Sequence, residues 1–104
     1  DILREKVQEG VEVRVLYDDI GSVLTLPKDY AKRLNQEGIQ CRVFNRFRPV
    51  LSSLQNNRDH RKIVSVDGEV AFTGGFNLAD EYINAIEKHG HWKDAGMVLR
   101  GDAA

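Results

Sequence analysis

The sequence lacks most of the devices that hold a fold from outside its core. Cys41 is its only cysteine, so no internal disulfide can form. It lies in an alternating apolar run and reads as a small buried hydrophobe rather than a reactive thiol. No run approaches the roughly 18 to 20 continuous apolar residues of a membrane helix. There is no signal-peptide pattern. Charge is nearly balanced at −1, so the chain as a whole has no net attraction for nucleic acid. Several phosphate and acyl-transfer signatures are also missing. The glycines do not end in the Gly-Lys-Ser/Thr of a P-loop, and neither the dinucleotide-binding glycines nor a nucleophile elbow is present.

The chain does have the composition of a soluble globular domain: 104 residues, 41% hydrophobic and 30% charged. That is the usual size of one domain, with a modest core. The chain begins at Asp1 without an initiator methionine, and we read it as a segment of a longer protein.

Two words repeat: QEGVEVRVL at 8–16 and QEGIQCRVF at 36–44. In each, glycine follows a stretch of helical period and precedes a strand-like alternation, as at a helix stop. Val11, Val13 and Val15 alternate, as do Ile39, Cys41 and Val43. Between the copies, Pro27 is placed to open a helix with Tyr30, Ala31 and Leu34 on one face. Two strands joined through a helix should run parallel. Residues 45–59 read as a loop. Strands at about 61–66 and 69–73 follow, joined at Asp67-Gly68, a strong hairpin signal. A helix is expected over 79–88 and a last strand over 95–101. The sum is a single α/β domain, a mixed sheet flanked by helices.

The chemistry concentrates in DHRKIVSVDGEVAFTGGFN, residues 59–77. His60 and Lys62 stand two apart at a strand start, where alternate side chains share a face. Two such cations together call for an anion. Gly74 and Gly75 remove side chains where a ligand can approach backbone, and the Asn77 amide can donate hydrogen bonds. Around them, Arg42, Arg46, Arg48, Arg58, Arg61 and Lys62 face a single acid, Asp59. This field suits a phosphate or a solvated loop equally well.

Each residue alone has a bland explanation. The spacing is specific. It runs His60-x-Lys62, four residues, Asp67, six residues, Gly74-Gly75-x-Asn77. This resembles the HKD signature of the phospholipase D superfamily, H-x-K-x4-D-x6-G-[GS]-x-N, with every position filled. NRDHRKIVSVDGEVAFTGGFNLADEYIN, HGHWKDAG and LYDDIGS resemble most the first catalytic half of bacterial cardiolipin synthases.

The resemblance implies a phospholipase D-like half domain. His60 would attack phosphorus and form a phosphohistidine. Lys62, Asn77 and the Gly75 backbone would hold the phosphate oxygens. Asp67 would be a turn and scaffold residue. Asp94, in HWKD, would hold the nucleophilic histidine in orientation. No metal or cofactor is needed. The partners implied are phosphatidylglycerol or another phospholipid, a second HKD half in the same chain or a second copy, and the cytoplasmic face of the bacterial membrane. Nucleic acid is not among them. Two departures stand out. Position 75 is Gly where many members have Ser, and one HKD set is present where the chemistry uses two facing sets. The alternative is a single-motif phosphodiesterase or nuclease that works as a homodimer.

Other motifs are weaker. His89-x-His91 lacks the further ligands of a zinc site. Asp18-Asp19 reads as a cap and turn rather than a magnesium site. Arg46 to Leu54 reads as a loop packed on the core slightly better than as a lipid-facing lip, and Trp92 reads as a packing residue.

Overall fold

The two QEG words perform the same act. In the computed structural model, which describes residues 1–22, 25–46, 58–75, 77, 79–88 and 90–104, each ends a helix in a Schellman cap. Helix α1 (Ile2–Gln8) is closed by Val11 N–H to the Lys6 carbonyl at 2.9 Å and Gly10 N–H to the Val7 carbonyl at 3.0 Å. Helix α3 (Tyr30–Gln36) is closed by Ile39 N–H to Leu34 at 3.0 Å and Gly38 N–H to Asn35 at 3.2 Å. Gly10 and Gly38 take φ of 91° and 83°, the left-handed region the motif requires and β-carbons disfavour.

Each cap feeds a strand. β1 (Arg14–Asp18) and β2 (Gln40–Phe44) pair in parallel, Val15 opposite Cys41, with α3 as the crossover. A short helix, α2 (Asp19–Ser22), follows β1 directly. Ile39, Cys41 and Leu34 are the buried centre, with Val7, Val13, Val15, Tyr17, Tyr30 and Ala31 packed around them. Asn35 ties α3 to β2. Its amide oxygen accepts the Cys41 N–H at 3.1 Å and its amide nitrogen donates to the Cys41 carbonyl at 3.0 Å. Cys41 is buried, and desolvation raises its thiol pKa above the ordinary value.

The second ladder is antiparallel: β3 (Lys62–Val66), β4 (Val70–Gly74) and β5 (Gly96–Arg100), in that spatial order. Asp67 and Gly68 both have positive φ, 56° and 68°, and Glu69 N–H closes the turn on the Val66 carbonyl at 3.0 Å. This is the left-handed turn that Asp-Gly favours.

The chain divides into two compact units, residues 1–60 and 61–104. The α/β class and both kinds of strand pairing follow the sequence. Among the described residues, the parallel and antiparallel ladders form two sheets rather than one mixed sheet. Each ladder is closed by its own connections, the α3 crossover in one and, in the other, the tight reversal at Asp67-Gly68 between β3 and β4 and the long segment 75–95 between β4 and β5.

Three expectations change. β1 starts at Arg14 rather than near Val11, because the α1 cap occupies Gly10 and Val11. α3 starts at Tyr30 rather than Pro27. Residues 27–30 form a turn, with Tyr30 N–H on the Pro27 carbonyl at 3.0 Å. No helix covers 79–88. One turn forms, and Ala85 N–H bonds back to the Asp80 carbonyl at 2.9 Å around Asn84, whose φ is 58°. The expected apolar face is not buried there: Ile83 and Ile86 are exposed. A left-handed asparagine ends the segment as glycine ends α1 and α3. Most of the expected 45–59 loop, including Phe47 to Leu54, lies outside the described residues.

Candidate active site

Strand register collects one group of motif residues at one end of the antiparallel sheet. Lys62 lies opposite Gly74, and Gly74 opposite Gly96. The row that begins with the half-buried Lys62 therefore carries no other side chain. Gly75 lies just beyond Gly74, and Asn77 two residues further along the chain. Asp94 lies just before β5, at the same end.

Asp94 is held there. Its Oδ1 accepts the Ala95 N–H at 2.8 Å, and its Oδ2 accepts the Trp92 indole N–H at 3.2 Å. Trp92 is fixed in turn. The Asn84 side chain accepts the Trp92 N–H at 2.6 Å and donates to its carbonyl at 3.0 Å. The Trp92 ring packs edge-on against Tyr82, centroids 4.7 Å apart. So the left-handed asparagine that replaces the expected helix clamps the indole that orients the carboxylate.

The same carboxylate stands beside Gly75. A β-carbon built on Gly75 would stand 3.2 Å from Asp94 Oδ1. Glycine at this position leaves room for the acid.

Asp67 lies elsewhere. It sits in the turn at the opposite end of β3, about 17 Å of strand from Lys62 at roughly 3.4 Å per residue. It is exposed, and its left-handed backbone supports the reversal.

His60 closes the first unit and lies two residues before β3, exposed. The ladder stops at the Lys62–Gly74 pair, so the strand face expected for both His60 and Lys62 does not reach His60. The segment leading to His60 is tied to β1 instead. Asp18, at the C-terminal end of β1, accepts the Asp59 N–H at 3.2 Å and pairs with Arg58 at 3.5 Å. It also caps α2 through the Gly21 N–H at 3.1 Å. Burial pushes the Asp18 carboxyl pKa up. The N–H groups of Gly21 and Asp59 and the Arg58 charge together outweigh that, and the net shift is downward.

Sequence reading found the motif residues and treated Asp18 as a cap, which it is. It missed the tie to residues 58 and 59, which are 40 and 41 positions away with no local signal. It also missed Asn84 and the Trp92 donor. The position of Trp92 two residues before the acid was the one available hint. Of the pair His89 and His91, the first lies outside the described residues. Among those described, no three His, Cys, Asp or Glu side chains gather to hold a metal. No helix among them is long and apolar enough to cross a membrane.

Residues 1–89 match the family model described as cardiolipin synthase, phospholipase D-like domain. The chain belongs to that family. It is 45% identical over 103 residues to a cardiolipin synthase of Oceanobacillus iheyensis, covering 99% of this chain and 21% of that protein. It is 45% identical over 105 residues to the major cardiolipin synthase ClsA of Bacillus subtilis, covering 99% of this chain and 21% of that protein. An uncharacterized protein of Streptococcus mutans is 56% identical over 101 residues, covering 97% of this chain and 22% of that protein. The chain thus spans about a fifth of the length of these relatives. No solved structure matches it.

Proposed function

We propose that the chain is one catalytic half of a cardiolipin synthase, excised from a longer two-half enzyme. That enzyme moves a phosphatidyl group between two phosphatidylglycerol molecules. The observation that carries this is the complete signature, with Lys62, Gly74, Gly75 and Asp94 at one end of one sheet. Relatives named cardiolipin synthase across nearly the whole chain support it.

In the first step an imidazole nitrogen of His60 bonds to the phosphorus of phosphatidylglycerol. The bond from phosphorus to the glycerol oxygen breaks, and glycerol leaves with a proton from the histidine of the second half. In the second step that histidine takes the proton from a hydroxyl of another phosphatidylglycerol. The oxygen attacks the phosphatidyl-histidine, and cardiolipin forms as His60 is released. Lys62 and the Asn77 amide hold the non-bridging oxygens as charge develops on them. Gly75 lets phosphate approach the backbone. Asp94 holds His60 in the attacking tautomer and stabilises its imidazolium form. Asp67 serves the hairpin. The site is set at the cytoplasmic face of the bacterial membrane by parts of the protein beyond this segment.

The test is phosphatidyl transfer in phosphatidylglycerol vesicles by the full-length protein that carries this segment. His60→Ala should abolish it, and the purified 104-residue chain alone should be inactive. Robust turnover by a strictly monomeric 104-residue chain contradicts the half-site reading. Phosphodiester cleavage by a stable dimer of it would favour a self-pairing phosphodiesterase.

A further inference from the structure

Three features converge immediately upstream of His60. The C-terminal end of β1 presents Asp18, whose side chain is only 9% exposed. The residue after β2, Asn45, offers its carbonyl to Arg58 Nη1 at 2.9 Å. Arg58 also pairs with Asp18, and the Asp59 N–H, one residue before His60, ends on the other Asp18 oxygen. The ends of both parallel strands thus grip the two residues that lead into His60.

Asp18 supplies the carboxylate of this grip and Asn45 a carbonyl. Arg58 is 20% exposed, and its Nε and Nη2 are buried without a hydrogen-bond partner among the described residues. Asp18 is the carboxylate paired with this desolvated guanidinium. Removing one member of such a pair leaves an uncompensated charge. The same carboxylate caps α2, so α2, the end of β1 and segment 58–59 share one anchor. A cap alone would need one oxygen and one N–H. Here the second oxygen is committed to the backbone beside the nucleophile.

We infer that Asp18 is a positioning residue for His60, holding the main chain at Asp59 so that the imidazole is presented to phosphorus. This rests on the reading of His60 as the nucleophile. The effect belongs to the attack step. Substrate binding is left to Lys62 and Asn77.

The experiment uses the full-length protein, phosphatidylglycerol vesicles and four variants, Asp18→Asn, Asp18→Ala, Arg58→Gln and His60→Ala. Steady-state transfer and the single-turnover rate of phospholipid attachment to His60 are measured well below each melting temperature. Asp18→Ala should lower kcat and the attachment rate together by about a hundredfold, the usual effect of misplacing a reacting group by an ångström. KM should move less than about twofold, well inside that hundredfold change. Asp18→Asn keeps an acceptor oxygen and should lose less. If neither Asp18 variant folds, Arg58→Gln decides, because it leaves the α2 cap intact. It should lower the attachment rate with KM unchanged. Wild-type attachment rates in the folded variants, or a loss confined to KM, overturn the inference. An active His60→Ala would instead overturn the reading of His60 itself, so the two failures are distinguishable.

Discussion

The carboxylate of Asp94 lies against the backbone of Gly75, so close that a β-carbon there would come within 3.2 Å of Oδ1. The acid and the glycine pair are fitted to each other across the end of one sheet. Real β-carbons rarely approach a neighbour so closely, and the carboxylate would have to give by a few tenths of an ångström. Gly75→Ala should therefore lower transfer about tenfold, a barrier change of about 1.4 kcal/mol. Gly75→Ser should lose less, because its hydroxyl can donate to the same carboxylate. A kcat series over glycine, serine and alanine checks this. Wild-type activity in alanine would show that the contact does not matter.

The indole donor on Asp94 can be removed without emptying its site. Trp92→Phe keeps an aromatic ring beside Tyr82 and deletes the 3.2 Å hydrogen bond. Hydrogen bonds to charged groups are worth about 1.5 to 3 kcal/mol, and this exposed one belongs at or below the lower end. Turnover should fall about tenfold or somewhat less, by the same conversion of 1.4 kcal/mol. Asn84→Ala, which releases the Trp92 backbone, should act in the same direction. Kinetics and a thermal melt on both variants separate lost orientation from lost folding.

Much of this architecture is legible in the sequence, for identifiable reasons. Schellman glycines and an Asp-Gly turn are local events. A few residues decide them, so Gly10, Gly38 and Asp67-Gly68 announce themselves. Motif spacing is legible because a hairpin converts sequence distance into register. A two-residue turn at Asp67-Gly68 alone would set Val66 opposite Glu69 and Lys62 opposite Thr73; the ladder pairs Val66 with Val70, so Glu69 joins the loop and Lys62 meets Gly74. The expected helix over 79–88 fails because periodicity counts apolar positions and does not see whether anything covers them. Ile83 and Ile86 are left exposed, while Asn84 turns left-handed and holds Trp92. The Asp18 grip on segment 58–59 is long-range and leaves no pattern along the chain.

Gly38 offers a test of packing. It combines a φ of 83° with close approach, since an added β-carbon would lie 2.9 Å from Val7 Cγ1. Gly10 has a φ of 91° and open space around it. Gly10→Ala should cost only the backbone term of a left-handed residue, about 1 to 2 kcal/mol. Gly38→Ala should cost that plus overpacking of about 1 to 3 kcal/mol. Urea melts of the two variants give the difference, and Val7→Ala in the Gly38→Ala background should recover part of it. Equal costs would mean that α1 does not press on Gly38.

Acid should act through Asp18. Its folded pKa lies below the ordinary carboxylate value of about 3.9, so the ionised form stabilises the fold. That contribution is present at pH above about 3.9 and is lost as pH falls through the depressed folded value. The stability gap between wild type and Asp18→Asn should be constant from neutral pH down to about pH 5, and should shrink below about pH 4. Denaturant melts across that range check the sign. A gap that widens in acid would mean that the carboxyl is raised by burial instead.

The most direct measurement of the central claim is the site of covalent attachment. Full-length protein is mixed with labelled phosphatidylglycerol, quenched during turnover and mapped by peptide mass spectrometry. A phosphatidyl adduct is expected on the His60 imidazole, absent in His60→Ala, with no label on the neighbouring lysine or aspartates. Label on another residue, or full transfer by His60→Ala, would contradict it.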